Sequence, residues 1–362
     1  MSSFKSGQIG SFVEQVKQGR TELGHPFQYN LLYDSSNTSN KIKTIAFFLT
    51  NEQSQYDREI LHDQLIHYDR ILSLKDINVV YHIYEIGTEL ILASEIVLTT
   101  FIKNTFDLVV PIGDYPTDVI SIVCQTSGID PKINFVNVEN AIRTRMVGIN
   151  GESLSNRTGV VRIPPSYERQ IAFLRKHKPE MKNVLMLRDD HYTIVPAYDS
   201  ETLAQGLVRH GCTVEPMIIM SKMDITAQLI RCINDYDAVV IDHGATIART
   251  HILEIVRLCN MFGIPLIASD ATSVYMGAAI GFGHNGYPYG RVAVSLGAQL
   301  LFARDDEKIL IRELYEDENL VFNDATRRLQ GIQVDISIDA ALYAKSVTDK
   351  YEERFKSFEL KI

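Results

Sequence analysis

From Ile45 onward, short apolar runs alternate with stretches of helical periodicity, a pattern that predicts an α/β protein. IAFFLT (Ile45–Thr50) reads as a strand and Tyr56–Ile71 as an amphipathic helix. The cadence continues with a strand at Val79–Ile86, a helix at Glu89–Lys103, a strand at Asp107–Ile112, a helix at Thr117–Gln125 and a strand at Ile133–Val138. A second series follows the turn at Asn156–Val160. It predicts helices at Tyr167–His177, Ser200–His210, Asp224–Asn234 and Thr250–Phe262, with strands at Asn183–Arg188, Val214–Ile219, Asp237–Asp242 and Ile264–Ser269. Gly211 and Gly263 stand where helices stop. Strands that are apolar almost throughout, rather than at every second position, belong to parallel sheets covered on both faces. Two such series predict two doubly wound lobes of like topology.

In open α/β sheets, ligands bind outside the carboxyl ends of the strands, where the strand order reverses. The polar residues at those ends are the candidates. They are Thr50, Gly113, Asp114, Tyr115 and Thr117, then Asn137 and Glu139, then Asp190 and Tyr192, then Asp242, His243, Asp270 and Tyr275. For a zwitterionic ligand, the Gly113–Thr117 amides and the Thr117 hydroxyl offer an anion site at a helix start, which the charge of Asp114 opposes. Asp242 and Asp270 suit a cation or a donor, with helix capping as their alternative role. Tyr115, Tyr192 and Tyr275 suit an apolar or aromatic ligand face, and equally ordinary packing.

Length and composition narrow the class. At 362 residues the chain is long for one core, and 45% hydrophobic content supports folded structure nearly throughout. The 45 acidic against 36 basic side chains repel a phosphate backbone, and no run of about 18 apolar residues predicts a membrane span. The four cysteines, Cys124, Cys212, Cys232 and Cys259, lack zinc spacing and fall within predicted helices or at a strand start, which suits packing better than nucleophilic catalysis. There is no G-x-S-x-G elbow, H-E-x-x-H or Walker loop, and the glycine-rich GAAIGFGHNG does not fit a dinucleotide fingerprint, so neither enzyme chemistry nor a cofactor is expected.

IPLIASDATSVYMGAAIGFGHNGYPYGRVAVSLGAQLL (Ile264–Leu301) carries a proline-led strand, a polar turn, V-x-x-G-A, G-x-x-Y-x-x-G and a long helix. DLVVPIGDYPTD, INFVNVENAIRTRMV, NRTGVV, IDHGATIAR and LVFNDATRRLQGIQV precede and follow it in order. From about Asp107 to Ala344 the chain thereby resembles the ABC-transporter substrate-binding proteins of the type I periplasmic fold, whose characterised members include aromatic amino-acid binders. Two features depart from that pattern: IAFFLTNEQSQYD lacks the His and Pro of the family's first loop, and His243 stands where Asn is frequent.

The resemblance implies two doubly wound parallel-sheet lobes joined by a three-crossover hinge. A polar extension would occupy 1–42, lobe one 43–156 plus 277–303, and lobe two 157–276 plus 304–362. It also implies a small-molecule ligand, with an amino acid among the candidates, closure of the lobes over it without chemistry, and an ABC permease as partner. Family members are exported, yet the first 40 residues hold no signal-like apolar stretch, so both an extracytoplasmic and a cytoplasmic location stay open. The alternatives are a cytosolic sensor of the same fold that acts through a signalling protein, and a degenerate relative that no longer binds.

Overall fold

A computed structural model of the chain describes residues 42–50, 55–87, 89–163, 167–189, 198–219, 222–241, 245–282, 286–315, 320–332 and 345–346. The chain forms two compact units, one running up to Ile163 and including Gly286–Leu314, the other formed by Pro164–Asn285 and the chain from Tyr315 onward. It passes between them three times.

The first unit contains β1 (Ile42–Thr50), α1 (Gln55–Ser73), β2 (Asn78–Ile86), α2 (Leu90–Lys103), β3 (Leu108–Pro111), α3 (Asp114–Ser127), β4 (Ile133–Val138) and β5 (Arg157–Ile163). The second begins with α4 (Tyr167–His177), β6 (Asn183–Asp189), α5 (Tyr198–Arg209), β7 (Thr213–Ile219), α6 (Lys222–Cys232) and β8 (Ala238–Ile241). It continues with α7 (Thr246–Thr250), α8 (Ile252–Phe262), β9 (Leu266–Ala268), α9 (Ala271–Tyr275) and β10 (Ile280–Phe282). The chain then returns to the first unit for α10 (Tyr287–Phe302) and β11 (Arg312–Tyr315), and ends in β12 (Leu320–Phe322), α11 (Asp324–Leu329) and β13 (Lys345–Ser346).

The sheets run β11-β5-β4-β3-β1-β2 and β13-β12-β10-β9-β8-β6-β7. Each contains the same five-strand order, β2-β1-β3-β4-β5 in the first and β7-β6-β8-β9-β10 in the second, so the order reverses beside β1 in one and beside β6 in the other. The strand pairs that define those two turning points are all parallel. At the added edge of the second sheet, β12 runs antiparallel to β10.

The alternation hidden in the apolar runs is resolved by the packing. Ile45, Phe47 and Leu49 of β1 join Leu61 and Leu65 of α1 and Tyr289 of α10 on one face of the first sheet. Ala46 and Phe48 join Val97 and Phe101 of α2 and Ile120 of α3 on the other. In the second sheet, Leu185 and Leu187 face α6 and α8, while Val184 and Met186 face α4 and α5. Both faces are covered, so the central strands are apolar at most positions.

Three borders differ from those expected from sequence. Residues after 156 stay in the first unit because β5 hydrogen-bonds along β4, Ile133 opposite Arg157. Residues 277–282 stay in the second because β10 pairs with β9, Ile280 opposite Ile267. The segment after Ala303 returns to the first sheet as β11. The borders therefore fall at 163, 285 and 314 rather than at 156, 277 and 303.

Helices α1 and α10 meet through glycines. A Cβ on Gly290 would stand 2.7 Å from the Ile60 carbonyl oxygen and 2.8 Å from the Asp63 Cβ. Because one obstacle is backbone, Gly290→Ala is expected to cost about 1–3 kcal/mol by overpacking, despite alanine's better helix propensity. A lowered thermal midpoint would confirm it, and a raised one would show that the helices separate freely.

Candidate ligand-binding site

The first unit places its candidates at the carboxyl edge beside the β1/β3 turning point. Thr50 ends β1 and is partly buried. Gly113 follows β3 at φ 91°, a conformation that favours glycine, and its N–H donates to the Val136 carbonyl at 2.8 Å. This ties the loop after β3 to β4. The Thr117 hydroxyl is directed inward, donating to the Gly113 carbonyl at 2.7 Å with no exposed surface. Tyr115 packs at the margin of the apolar cluster, where burial first and then the charge of Glu89 push its phenol up to about 12.

Asp114 begins α3 and accepts from the Glu139 N–H at 3.1 Å, linking the loops after β3 and β4. Desolvation pushes its carboxyl up to about 6, opposed by the Glu139 and Asn140 amides and by Arg143, and assisted by Asp118. The folded carboxyl thus keeps its proton to a higher pH than the unfolded one, whose ordinary value is 3.8. The native state binds more protons in that window, so this group's contribution to stability falls as pH rises from about 4 to about 6. Denaturation midpoints over that range should decline less steeply in Asp114→Asn. An unchanged slope would assign the decline to another group, of which Glu85, pushed up to about 7 by burial, is the nearest in kind.

Asn137 sits within β4 where the pairing with β5 slips between Val136 and Val138. Its φ is 59°, which asparagine tolerates better than most residues. The side chain is 5% exposed, and its Oδ1 accepts no hydrogen bond among the described residues. A buried amide oxygen without a donor is costly in a finished core and is common where a ligand or water completes the set. Glu139 accepts from Arg162 Nη1 at 2.6 Å, and Arg162, at the carboxyl end of β5, is fully buried. Arg162 was not among the sequence candidates. The signal was the single charge in the apolar run GVVRI, since a guanidinium placed there requires an acidic partner.

In the second unit the strands flanking the turning point end at Asp189 and Ile241. Asp190, Tyr192, Asp242 and His243 lie just beyond them, outside the described residues. Asp270 is fully buried and caps α9, accepting from Ser273 N at 2.7 Å and Ser273 Oγ at 2.8 Å, with Arg249 Nη1 at 3.9 Å. Both its oxygens are engaged within the unit. Tyr275, at the end of α9, packs against the apolar cluster. Ser269, absent from the sequence candidates, is 2% exposed, and its hydroxyl has no hydrogen-bond partner among the described residues. It follows β9, which holds in the second sheet the place that β4 holds in the first. Each unit thus carries one buried polar side chain with unmet hydrogen-bonding capacity at the carboxyl end of its fourth parallel strand.

Residues 87–347, well over half of the 362, match the family model of the ABC transporter substrate binding proteins. The chain belongs to this family. No curated protein matches as a relative. Among solved structures, the chain is similar to an ABC domain from Streptococcus pneumonia in complex with L-Trp (TM-score 0.67, 15% identity, covering 83% of this chain and 97% of the other). It is also similar to an ABC transporter solute binding protein from Bacillus halodurans with bound myo-inositol (TM-score 0.54, 13% identity, 82% and 99% covered). The transcription regulator CcpA of Lactococcus lactis shares the fold as well (TM-score 0.52, 14% identity, 76% and 97% covered). The two-lobed type I binding-protein fold is therefore established, and the family is one of binding proteins rather than enzymes. Among the described residues no helix is long and apolar enough to cross a membrane.

Proposed function

We propose that this protein captures one small organic molecule with carboxyl-edge residues, closes over it, and delivers it to an ABC permease. The observation that carries this reading is the pair of buried polar groups, Asn137 Oδ1 and Ser269 Oγ, at equivalent strand ends. Asn137 offers an acceptor and Ser269 either a donor or an acceptor, which suits a ligand bearing hydroxyl, amine or amide groups. Glu139 follows Asn137 by two residues, and the loop carrying Gly113 and Tyr115 is tied to β4 through the Gly113 N–H and the Val136 carbonyl; in this reading they supply a carboxylate, a backbone approach and an aromatic wall. Asp270 is a cap in this reading, and the ligand contact of that loop passes to Ser269. The anion role expected of Thr117 is set aside for the same reason, because its hydroxyl serves Gly113.

The solved structures of similar fold that hold L-Trp and myo-inositol support a small organic ligand. A thermal-shift screen of amino acids, polyols, nucleosides and short carboxylates tests it. A ligand present at about 100 times its Kd adds roughly 2.7 kcal/mol to the stability of the bound state, a rise of several degrees. Absence of any shift at millimolar concentrations would leave the degenerate, non-binding alternative in its place. The likeness to CcpA keeps the sensor reading of the same ligand site in view, and capture of a permease or of a signalling protein by the ligand-loaded form separates the two.

A further inference from the structure

Helix α10 and the chain that returns beside it, residues 307–312, border a groove of about 550 Å³ within the first unit. Leu296 and Ile309, both buried, belong to the apolar cluster beneath α10 and form its floor. Arg291, Lys308 and Arg312, all exposed, stand around that floor with one acid, Glu307. The groove is separate from the carboxyl-edge loops. Lys132, just before β4, donates to the Ala303 carbonyl at 2.6 Å, and the Thr158 hydroxyl, near the start of β5, donates to the Leu310 carbonyl at 3.1 Å. These bonds fix the chain between 303 and 310 at the amino edge of the first sheet.

Three cations around one groove run against the chain's net charge of −9. Little of their charge is neutralised. Arg291 Nε stands 3.9 Å from Asp63 Oδ2, beyond hydrogen-bond reach, and Lys308 and Arg312 form no ion pair among the described residues. Glu307 is engaged by the turn itself, accepting from the Arg304 N–H at 3.3 Å. α10 and residues 307–312 run in opposite directions on either side of that turn, which sets Arg291 and Arg312 toward one end of the groove and Lys308 toward the other. A concave surface with apolar walls and one dominant sign of charge concentrates ions of the opposite sign.

We propose that this groove is a binding site for a small organic anion, independent of the carboxyl-edge site. The acidic group of the ligand, a carboxylate, sulfonate or phosphate, lies between the Arg291 and Arg312 guanidinium groups, whose forked donors match its oxygens. Its apolar body covers Leu296 and Ile309. The volume is that of a small-molecule site, roughly 300–1,000 Å³. A protein partner is a poorer fit, because the stretch of α10 along the groove, from 291 to 299, is about 12 Å long, whereas a specific protein interface covers about 800 Å² on each side.

Methyl-resolved NMR on the full chain tests the proposal, with anilinonaphthalene sulfonate as the probe and phenylnaphthylamine, the same aromatic body without the sulfonate, as its neutral counterpart. The Leu296 and Ile309 methyl signals are expected to shift with the sulfonate and to saturate with a Kd of about 100 µM or below. The neutral compound should bind at least about tenfold more weakly. Arg291→Ala and Arg312→Ala, at exposed positions that leave the fold intact, should each weaken the sulfonate by about tenfold and leave the neutral compound unaffected. Equal affinity for the two compounds, a sulfonate affinity unchanged in the double alanine variant, or saturating shifts that spare Leu296 and Ile309 would each overturn it.

Discussion

Replacing Arg162 by alanine is expected to destabilise the first unit by about 3–5 kcal/mol, the range for removing one partner of a buried ion pair. The loss comes less from the missing attraction than from Glu139, whose carboxylate is 8% exposed and would stay in place without the guanidinium 2.6 Å away. Protonation would then be its main relief, so the variant should recover stability as pH falls. Hydrogen exchange resolved along the chain measures this best, because two units rarely unfold as one transition. Faster exchange confined to the first unit is the expected pattern. A cost below about 1 kcal/mol would mean that water reaches the pair and screens it.

The second large effect is Asp270→Ala, with an expected cost of roughly 3 kcal/mol to the second unit. Two losses combine: the cap on α9, worth about 1 kcal/mol, and the carboxylate facing the buried Arg249 guanidinium. Asp270→Asn should retain most of the cap and lose the charge, dividing the two contributions. Accelerated exchange in α9 and β9 for the alanine variant alone would assign the cost to the cap, whereas equal acceleration in both would assign it to the charge. If alanine leaves the second unit as stable as wild type, the buried carboxylate is not structural and the assignment of its role as a cap fails.

The sequence pattern predicted the order of the central strands' elements well, because runs such as IAFFLT and AVVI have no polar face to confuse. It located the carboxyl-edge loops for the same reason: each run ends in polar residues. Borders between the units were less legible. β5 and β10 belong to the sheets they pair with, and a strand's partner is a long-range fact that local composition does not carry. The expected helix at 250–262 begins at Ile252, with a short α7 before it and His251 between them. In the site, Asp270 followed three residues later by Ser273 was readable as a cap, whereas Ser269 looked like any small polar residue at a strand end. Its significance comes from burial without a partner. The same holds for Asn137, a sequence candidate whose left-handed backbone and strand slip only three-dimensional pairing reveals.

The central claim is that the two strand-end groups hold a ligand. Calorimetric titration of the ligand found by the thermal screen into wild type, Asn137→Gly and Ser269→Ala tests it most directly. Glycine keeps the left-handed backbone at 137 while removing the amide, and alanine at 269 removes only a hydroxyl. Each is expected to weaken binding by about tenfold, near 1.4 kcal/mol for one lost hydrogen bond, with the ligand-free melting temperature nearly unchanged. Affinities equal to wild type in both variants would contradict the account.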